Sequence, residues 1–429
     1  MIDIEKIIKE HCPDGVPYKT MEELGEFYGG LSGKSKDDFV DGNAKFITYM
    51  NVFSNIALKT DVVERVKIAE GEKQNTIQYG DVLFTGSSET PDECGMSSVL
   101  TTETDEKLYL NSFCFGFRLF DKSLLLPDFM KYLFRSNELR KAIKKTASGV
   151  TRFNVSKAKM ARIKVPLPPL VAQREIVRVL DKFTLYLQEL TAELTARGQQ
   201  YSYYRDKLLS FDNEIEHVPL AELAEFTYGY TDKAQDMGDT RFIRITDIDD
   251  NGCLSKNDAK YITLTEESRK YLLTEGDLLL ARTGATYGKT LYYPNNEQAV
   301  YASFLIKITL DNSRILNRYY WHFSKSSSYW KQAEKYVSKA GQQQFNTGAV
   351  GKVVVPVPPL EIQERIVHVL DNFDKICSDL QIGLPAEIEK RAQQYEYYRD
   401  KLLTFNYESA IILDRQTDRQ TDRQTDRAD

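Results

Sequence analysis

The sequence predicts an α+β protein in which two similar mixed α/β domains are separated by two long helices packed as an antiparallel intramolecular coiled coil. Three observations predict it. One stretch occurs twice: PLPPLVAQREIVRVLDKFTLYLQELTAELTARGQQYSYYRDKLLSF from Pro166 to Phe211, and PVPPLEIQERIVHVLDNFDKICSDLQIGLPAEIEKRAQQYEYYRDKLLTF from Pro356 to Phe405. Both copies space their apolar residues by alternating threes and fours, a helical rather than a strand period. The segments before each copy hold short strand-like runs bounded by glycine turns and then a helical pattern, in the same order. An internal duplication on this scale dictates repeated structure.

Taken in order, MIDIEKIIKEH reads as a short amphipathic helix, and Pro13, Gly15 and Pro17 turn the chain into a new unit. Strands are expected at KFITYMNV, GDVLFTG and SFCFGFRLF, with Gly80-Asp81 and Gly86 as turn signals. From Asp128 a single helix is expected over DFMKYLFRSNELRKAIKK, then a loop and a closing strand in TASGVTRFNVSKAKMARIKV. These residues, 1–165, form the first domain. The first long helix occupies 166–213.

That helix carries Ile176, Leu180, Phe183, Leu187, Leu190, Leu194, Tyr201, Tyr204, Leu208 and Phe211 on a heptad seam, interrupted once by Arg197. A helix of this length spans roughly 60 Å. One so long and apolar on one side needs a partner, and the second copy supplies it.

The second domain, 214–355, replays the first. VPLAELAEFTYGY answers YKTMEELGEFYGG, RFIRITDI answers KFITYMNV, GDLLLARTG answers GDVLFTGSS, and a helix from Tyr319 to Tyr336 answers the one at Asp128. Phe345-Asn346 is matched to Phe153-Asn154. Framework positions share residue types while the loops differ, as two versions of one recognition task require. The second long helix, 356–407, keeps Ile366, Leu370, Phe373, Cys377, Leu380 and Leu384, then shifts phase. The offset between copies is 190 at Pro356 minus Pro166 and 194 at Tyr395 minus Tyr201. A four-residue insertion of this kind, marked by Gly383 and Pro385, predicts a bend or break there.

Composition narrows the class. With 429 residues, 41% hydrophobic and 28% charged, the chain can bury substantial cores and divides into two or three domains. Its N-terminus lacks a signal-peptide apolar core and no apolar run approaches the roughly 20 residues of a membrane helix, so a cytoplasmic protein with no membrane partner is expected. Five scattered cysteines with no C-x-x-C read as reduced thiols rather than a disulfide framework or zinc site. The net charge of −6 speaks against nucleic acid only if charge is uniform.

Two domains alternating with two near-identical helices, the P-L-P-P-L-x-x-Q-R-E-I-V helix start and the G-D-L-L-L-A-R-T-G segment resemble the specificity subunit of type I restriction-modification enzymes, from about Gly15 to Phe405. The resemblance implies two target-recognition domains, each reading one half of a split sequence in double-stranded DNA. It implies helices that fix the gap and dock two methyltransferase subunits, with restriction subunits in complexes that also cleave. S-adenosylmethionine, and ATP with Mg where a nuclease is present, then belong to the partner subunits, and this chain binds no cofactor. LTAELTAR, at Leu190 to Arg197, resembles the four-residue spacer repeat of some members. One more unit lengthens a helix by about 6 Å, on the order of one to two base-pair rises.

The charge pattern agrees. Asp128 to Lys164 holds eleven Lys or Arg against two acids, and Arg314 to Lys352 seven against one. Basic segments at matching places of a repeat suit phosphate neutralisation. DNA-contact candidates follow from side-chain chemistry: Lys144 and Lys145 for phosphate; Arg152 and Arg282 for guanine; Asn154, Gln342, Gln343, Gln344 and Asn346 for adenine. Thr283, Ser87 and Ser88 offer hydroxyls that bond phosphate or cap their own turns. Phe153 and Phe345 are read as loop anchors.

Enzymatic signals fail. GGLSGKS at Gly29 to Ser35 has Tyr28 where a P-loop needs glycine, the four histidines have no metal-ligand spacing, and no G-x-S-x-G appears. Neither a glycine-rich S-adenosylmethionine motif nor the amino-methyltransferase tetrapeptide is present. No catalytic or metal-binding residue is assigned. A free-standing methylase or nuclease and a protein-binding coiled-coil scaffold are the competing function classes. The tail, 408–429, holds DRQTDRQTDRQTDRAD, expected to be disordered. Its period fits a GACA tetranucleotide read in successive triplets, so slippage in such a tract would change the frame beyond it.

Overall fold

The computed structural model describes residues 10–12, 15–211, 214–255, 257–294, 297–338, 343–378 and 383–405. Most of the predicted N-terminal helix, Gln342, Leu380 and the DRQT tail lie outside the described residues. The described helices longer than six residues are, in chain order, α1 (Pro127–Leu133), α2 (Asn137–Lys144), α3 (Leu170–Leu208), α4 (Asn317–Phe323), α5 (Ser327–Tyr336), α6 (Leu360–Ser378) and α7 (Leu384–Leu403). The chain forms two compact units, Met1–Gln188 with Lys390–Asp429, and Glu189–Glu389. Each unit therefore contains one domain, part of α3 and part of the second helical segment.

In the first unit a four-stranded antiparallel sheet runs in the order Gly25–Gly29, Cys114–Leu119, Val82–Thr85, Ser97–Val99. A second sheet orders Arg65–Val66, Ala44–Ile47, Leu108–Leu110 and Thr76–Ile77, with the two middle strands parallel. Tyr18–Thr20 pairs with Lys164–Pro166, so the domain's first and last strands close on each other. In the second unit the main sheet runs Ala224–Tyr228, Leu305–Leu310, Leu278–Ala281, Thr290–Tyr292. Thr240–Ile243 again lies parallel to Ala299–Tyr301, and His217–Pro219 again pairs with Val354–Pro356.

The repeated Gly-Asp turn has one physical reason in both domains. Gly80 and Gly276 take φ of +85° and +86°, a left-handed conformation that favours glycine. The following carboxylate accepts a backbone N–H across the turn, Asp81 from Gln78 and Asp277 from Thr274, each at 2.8 Å. Each carboxylate is also paired with a strand cation, Asp81 with Arg118 at 2.6 Å and Asp277 with Lys307 at 2.7 Å. The cations occupy different register positions. Arg118 aligns with Glu26 across the sheet, whereas Lys307 aligns with Thr227 and Leu279.

Two expectations change. The runs KFITYMNV and RFIRITDI are strands only to Ile47 and Ile243. Thr48 then caps a helix, Tyr49–Ser54, through an acceptor contact from Asn51 N, and Ile245–Asp247 is a 3₁₀ turn. The helix expected from Asp128 is two helices, α1 and α2, and its counterpart is α4 and α5. Apolar spacing continues through both junctions, so periodicity alone does not reveal them. The break is stabilised from outside: Asp400 Oδ1 accepts Asn137 N at 2.9 Å at the start of α2, and Asp206 accepts Ser327 N at 3.2 Å at the start of α5.

Those two aspartates explain the repeated Y-Y-R-D-K-L-L. In the first unit α7 docks its end on the domain that α3 leaves: Leu402, Leu403 and Phe405 are buried in one core with Ala172, Ile176, Val179 and Leu180. In the second unit Tyr201, Leu209 and Phe211 join the core that holds Ile366 and Leu370 of α6. Contacts run in opposite senses along the paired segments. Phe183 packs on Tyr398 and Tyr186 lies under Arg391 in the first unit. Tyr204 stacks on Phe373, and the Arg197 charge acts on Cys377, in the second. The predicted antiparallel pairing therefore holds within each unit. In the second helical segment α6 ends at Ser378 and α7 starts at Leu384, so the interruption expected at Gly383 and Pro385 falls where Gly383 is a bend and Pro385 stands in the first turn of α7; residues 379–382 lie outside the described residues.

Candidate nucleic-acid interface

The basic segment after Asp128 divides by function. Lys131 pairs with Asp128 and Asp181. Arg135 donates to the carbonyls of Val52, Phe53 and Ser97, and burial pushes it down to about 10. Arg140 donates to the carbonyls of Asp92, Cys94 and Gly95. Lys144 is ion-paired with Asp92, whose carboxyl it holds below its usual range. These cations are held by contacts within the first unit, to the helix Tyr49–Ser54, the turn at 92–95, the strand residue Ser97 and Asp181 of α3. Lys141, Lys145, Arg152, Lys157, Lys159, Arg162 and Lys164 are the ones exposed to solvent. The second domain follows the same division. Arg314 pairs with Glu216, Arg318 with Asp371, and the half-buried Lys325 with Asp374; Lys331, Lys335 and Lys352 are exposed. A residue count thus overstates the phosphate-binding charge, more so in the second domain.

In the first domain Arg152 is the best-placed guanidinium. Its Nε and Nη2 donate to Ser87 Oγ at 3.2 and 3.0 Å, and its Cζ lies 5.4 Å from the Phe113 ring centroid. It borders a cleft of about 610 Å³ lined also by Tyr49, Met50, Phe53, Glu89 and Glu93. Asn154 is exposed beside it, in register with Ser87 on the strand Phe153–Val155. Ser87 and Ser88 are buried, one accepting from Arg152 and the other bonded to Glu93. Their hydroxyls are thus committed within the loop cluster.

In the second domain Arg282 donates Nε to Ser303 O at 3.1 Å and lies over the Phe304 and Tyr228 rings at 5.4 and 5.2 Å. Thr283 is buried, and its backbone bridges Gln344. Gln343 is exposed, and Phe345 is fully buried in the core, an anchor as expected. Asn346 Oδ1 accepts Ala349 N at 3.0 Å and caps the helical turn Thr347–Val350. A bidentate contact to adenine from that amide shares its oxygen with the cap.

The last point corrects the match of Phe345-Asn346 to Phe153-Asn154. The cap in the first domain is Ser156, which accepts from Lys159 N before Lys157–Met160. Asn154 faces Ser87 as Gln344 faces Thr283. The offset is 346 − 156 = 344 − 154 = 190, that of the P-x-P-P motifs, so Asn154 corresponds to Gln344 and Arg152 to Gln342. The recurring dipeptide is two residues out of register, as the hydrogen bonding shows.

Sequence reasoning also missed Phe113 and Phe304, the aromatic partners of the two arginines. They stand in strand-like runs, where an aromatic residue carries no sign of exposure. Among the described residues no group of three or more His, Cys, Asp or Glu is placed to hold a metal ion, and no helix is long and apolar enough to cross a membrane. All five cysteines are free thiols, three of them buried.

Residues 13–197 and 213–390 match the model of the type I restriction modification DNA specificity domain. The chain is 33% identical over 274 residues to S.HindORF215P of Haemophilus influenzae, by name a type I restriction enzyme specificity subunit, covering 60% of this chain and 68% of that one. It is also 33% identical over 281 residues to the EcoR124I/EcoR124II specificity subunit of Escherichia coli, covering 58% of this chain and 65% of that one. The alignments span about two thirds of these relatives' lengths. In fold, the chain is similar to a chain solved in work on assembly and conformational transition of the type I R-M system, with a TM-score of 0.62 and 15% identity over 91% of this chain and 97% of that one. An S subunit from M. genitalium gives a TM-score of 0.50 at 15% identity, over 91% of this chain and 96% of that one.

Proposed function

The chain belongs to the type I restriction-modification DNA specificity family, and from that premise we propose that it is the non-catalytic, sequence-reading subunit of a methyltransferase and restriction complex. Each domain reads one half of a split target in double-stranded DNA. One observation carries the reading. Two copies of one scaffold share the hydrogen bonds of the Gly-Asp turn and the aspartate cap on the second helix of each pair, while an arginine lies beside an exposed phenylalanine at matching places but comes from different chain segments. A conserved frame with divergent reading groups suits recognition of two different half-sites.

In this reading Lys145 contacts phosphate with the neighbouring exposed lysines, and Lys144 contributes less because Asp92 already holds it. Arg152 and Arg282 read guanine, and Asn154 and Gln343 reach adenine edges. The long helices set the gap and dock two methyltransferase subunits. S-adenosylmethionine, and ATP with Mg where restriction subunits join, belong to those partners. The assembly works in the cytoplasm.

Methylome sequencing of cells with and without this gene tests the proposal. The expected result is a split motif whose methylation disappears on deletion, and whose gap widens by one or two base pairs when four residues are added to the LTAELTAR tract. Methylation or cleavage by the purified chain alone points to a free-standing enzyme. A complex that binds all sequences alike points to a protein scaffold.

A further inference from the structure

We infer that Phe113 and Phe304 are specificity-determining positions, each fixing the plane of an arginine so that its outer edge meets a guanine in one half-site. The inference rests on the DNA-reading function proposed above and goes beyond it by assigning the readout to aromatic–arginine pairs.

The two phenylalanines hold the same place in the fold. Each immediately precedes the sheet's central strand, and its carbonyl accepts from the residue six places after the Gly-Asp glycine: Phe113 O from Gly86 N at 2.8 Å, Phe304 O from Arg282 N at 3.1 Å. Since 86 − 80 = 282 − 276, those donors are equivalent. Phe113 is 56% and Phe304 52% exposed, so neither ring is needed to fill a core. An exposed aromatic ring thus stands at the same position of both copies of the duplication.

Each ring carries a guanidinium at the same distance, 5.4 Å, yet the two arginines come from different segments. Arg152 reaches Phe113 from the loop before the strand Phe153–Val155. Arg282 reaches Phe304 from the strand edge, at the position where the first domain has Gly86 and no side chain. The same pair has been assembled twice by separate routes, which a conserved packing requirement does not explain.

The chemistry fits a base edge. A guanidinium reads guanine O6 and N7 through two parallel N–H groups, and this works only when its plane is fixed. The ring faces supply that constraint, with Tyr228 on Arg282 as a second wall at 5.2 Å. Inner nitrogens are committed to the protein, Arg152 Nε and Nη2 to Ser87 Oγ and Arg282 Nε to Ser303 O. Arg152 Nη1 and both Nη atoms of Arg282 have no hydrogen-bond partner among the described residues. Glu89 and Glu93 line the cleft beside Phe113, carboxylates able to accept from the cytosine N4 of the same base pair.

The test uses the full chain co-expressed with its methyltransferase subunits. Binding is measured to duplexes carrying every single base-pair substitution in the motif found by methylome sequencing. Phe113→Leu and Phe304→Leu keep apolar size and remove the π face. Each is expected to reduce discrimination at one G·C pair of one half-site on the order of tenfold, leaving the other half-site and the salt dependence unchanged. Phe→Tyr at either position restores discrimination, and Arg152→Lys or Arg282→Lys reproduces the loss. Uniform weakening on all duplexes, relaxation at an A·T pair, or unchanged discrimination in the Leu variants overturns the inference while leaving the proposed function standing. A parent complex with no sequence preference overturns both.

Discussion

Gln173 fastens the start of the first long helix to its domain by accepting the backbone N–H of Leu126 on Oε1 at 2.8 Å. Its Nε2 donates to the carbonyls of Leu124 and Pro168 at 2.9 and 2.8 Å, and the side chain is wholly buried. Gln363 repeats the arrangement on Leu316, Arg314 and Pro358 at 2.8 to 2.9 Å. The repeated P-x-P-P-L-x-x-Q is thus a joint in which one amide satisfies three backbone groups.

Gln363→Leu strands those three groups, and each buried unsatisfied partner costs about 1–3 kcal/mol. We expect a loss on the order of 3 kcal/mol or more, seen as a lower urea midpoint. Trp321 and Trp330, the chain's two tryptophans, both lie in the second unit, so their fluorescence reports that loss directly. Gln173→Leu is expected to leave the tryptophan transition in place and to destabilise the first unit, read by circular dichroism.

Removing residues from Lys390 onward takes Leu402, Leu403 and Phe405 from the first unit's core and the Asp400 cap from α2. Fully burying an apolar side chain of this size contributes roughly 1.5–3 kcal/mol. The truncated chain should lose the first unit's cooperative transition by hydrogen exchange while the second keeps its protection. Equal protection in both units contradicts this assignment.

His322 gives the second unit an acid-sensitive centre. Burial pushes it down to about 4, and its Nε2 lies 2.8 Å from Asp371 Oδ1, with Nδ1 3.1 Å from Tyr201 Oη. The folded state keeps the ring neutral while the unfolded chain takes up a proton below about 6.5. The contribution to stability is therefore full above pH 6.5 and is lost as pH falls from 6.5 towards 4, by roughly 3 kcal/mol in all. The first unit has Tyr132 at this place, bonded to Asp181 at 2.6 Å, and does not share the acid lability. Tryptophan-monitored unfolding from pH 7 to 4.5 checks it, and a flat profile refutes it.

Charge reversal should separate binding lysines from structural cations. Lys145→Glu is expected to weaken DNA binding uniformly across sequences and to lower the salt slope by about one to two, with no change in urea midpoint. Arg140→Ala should lower the unfolding free energy by about 1–3 kcal/mol, seen as a lower urea midpoint, because carbonyls of residues 92, 94 and 95 lose their donor. Titrations at several salt concentrations beside unfolding curves give both readings.

The sequence by itself determined the architecture. Duplication, heptad spacing and recurring Gly-Asp turns are local and periodic signals, and they place two domains and two helices without a single tertiary contact. The tertiary structure decided how the repeated residues are used. Gln173, Asp206 and their copies bond to backbone that is distant along the chain, and α1 and α2 are separate because Asp400 caps the second across 263 positions. It also decided which cations face solvent: Arg135 and Arg140 are spent on buried carbonyls, while Lys145 is exposed. Charge read along a chain cannot make that distinction, since burial depends on what other strands bring to the same place. For the same reason Phe113 and Phe304, lost among strand-forming residues in the sequence, become exposed partners of Arg152 and Arg282 only once the sheet is built.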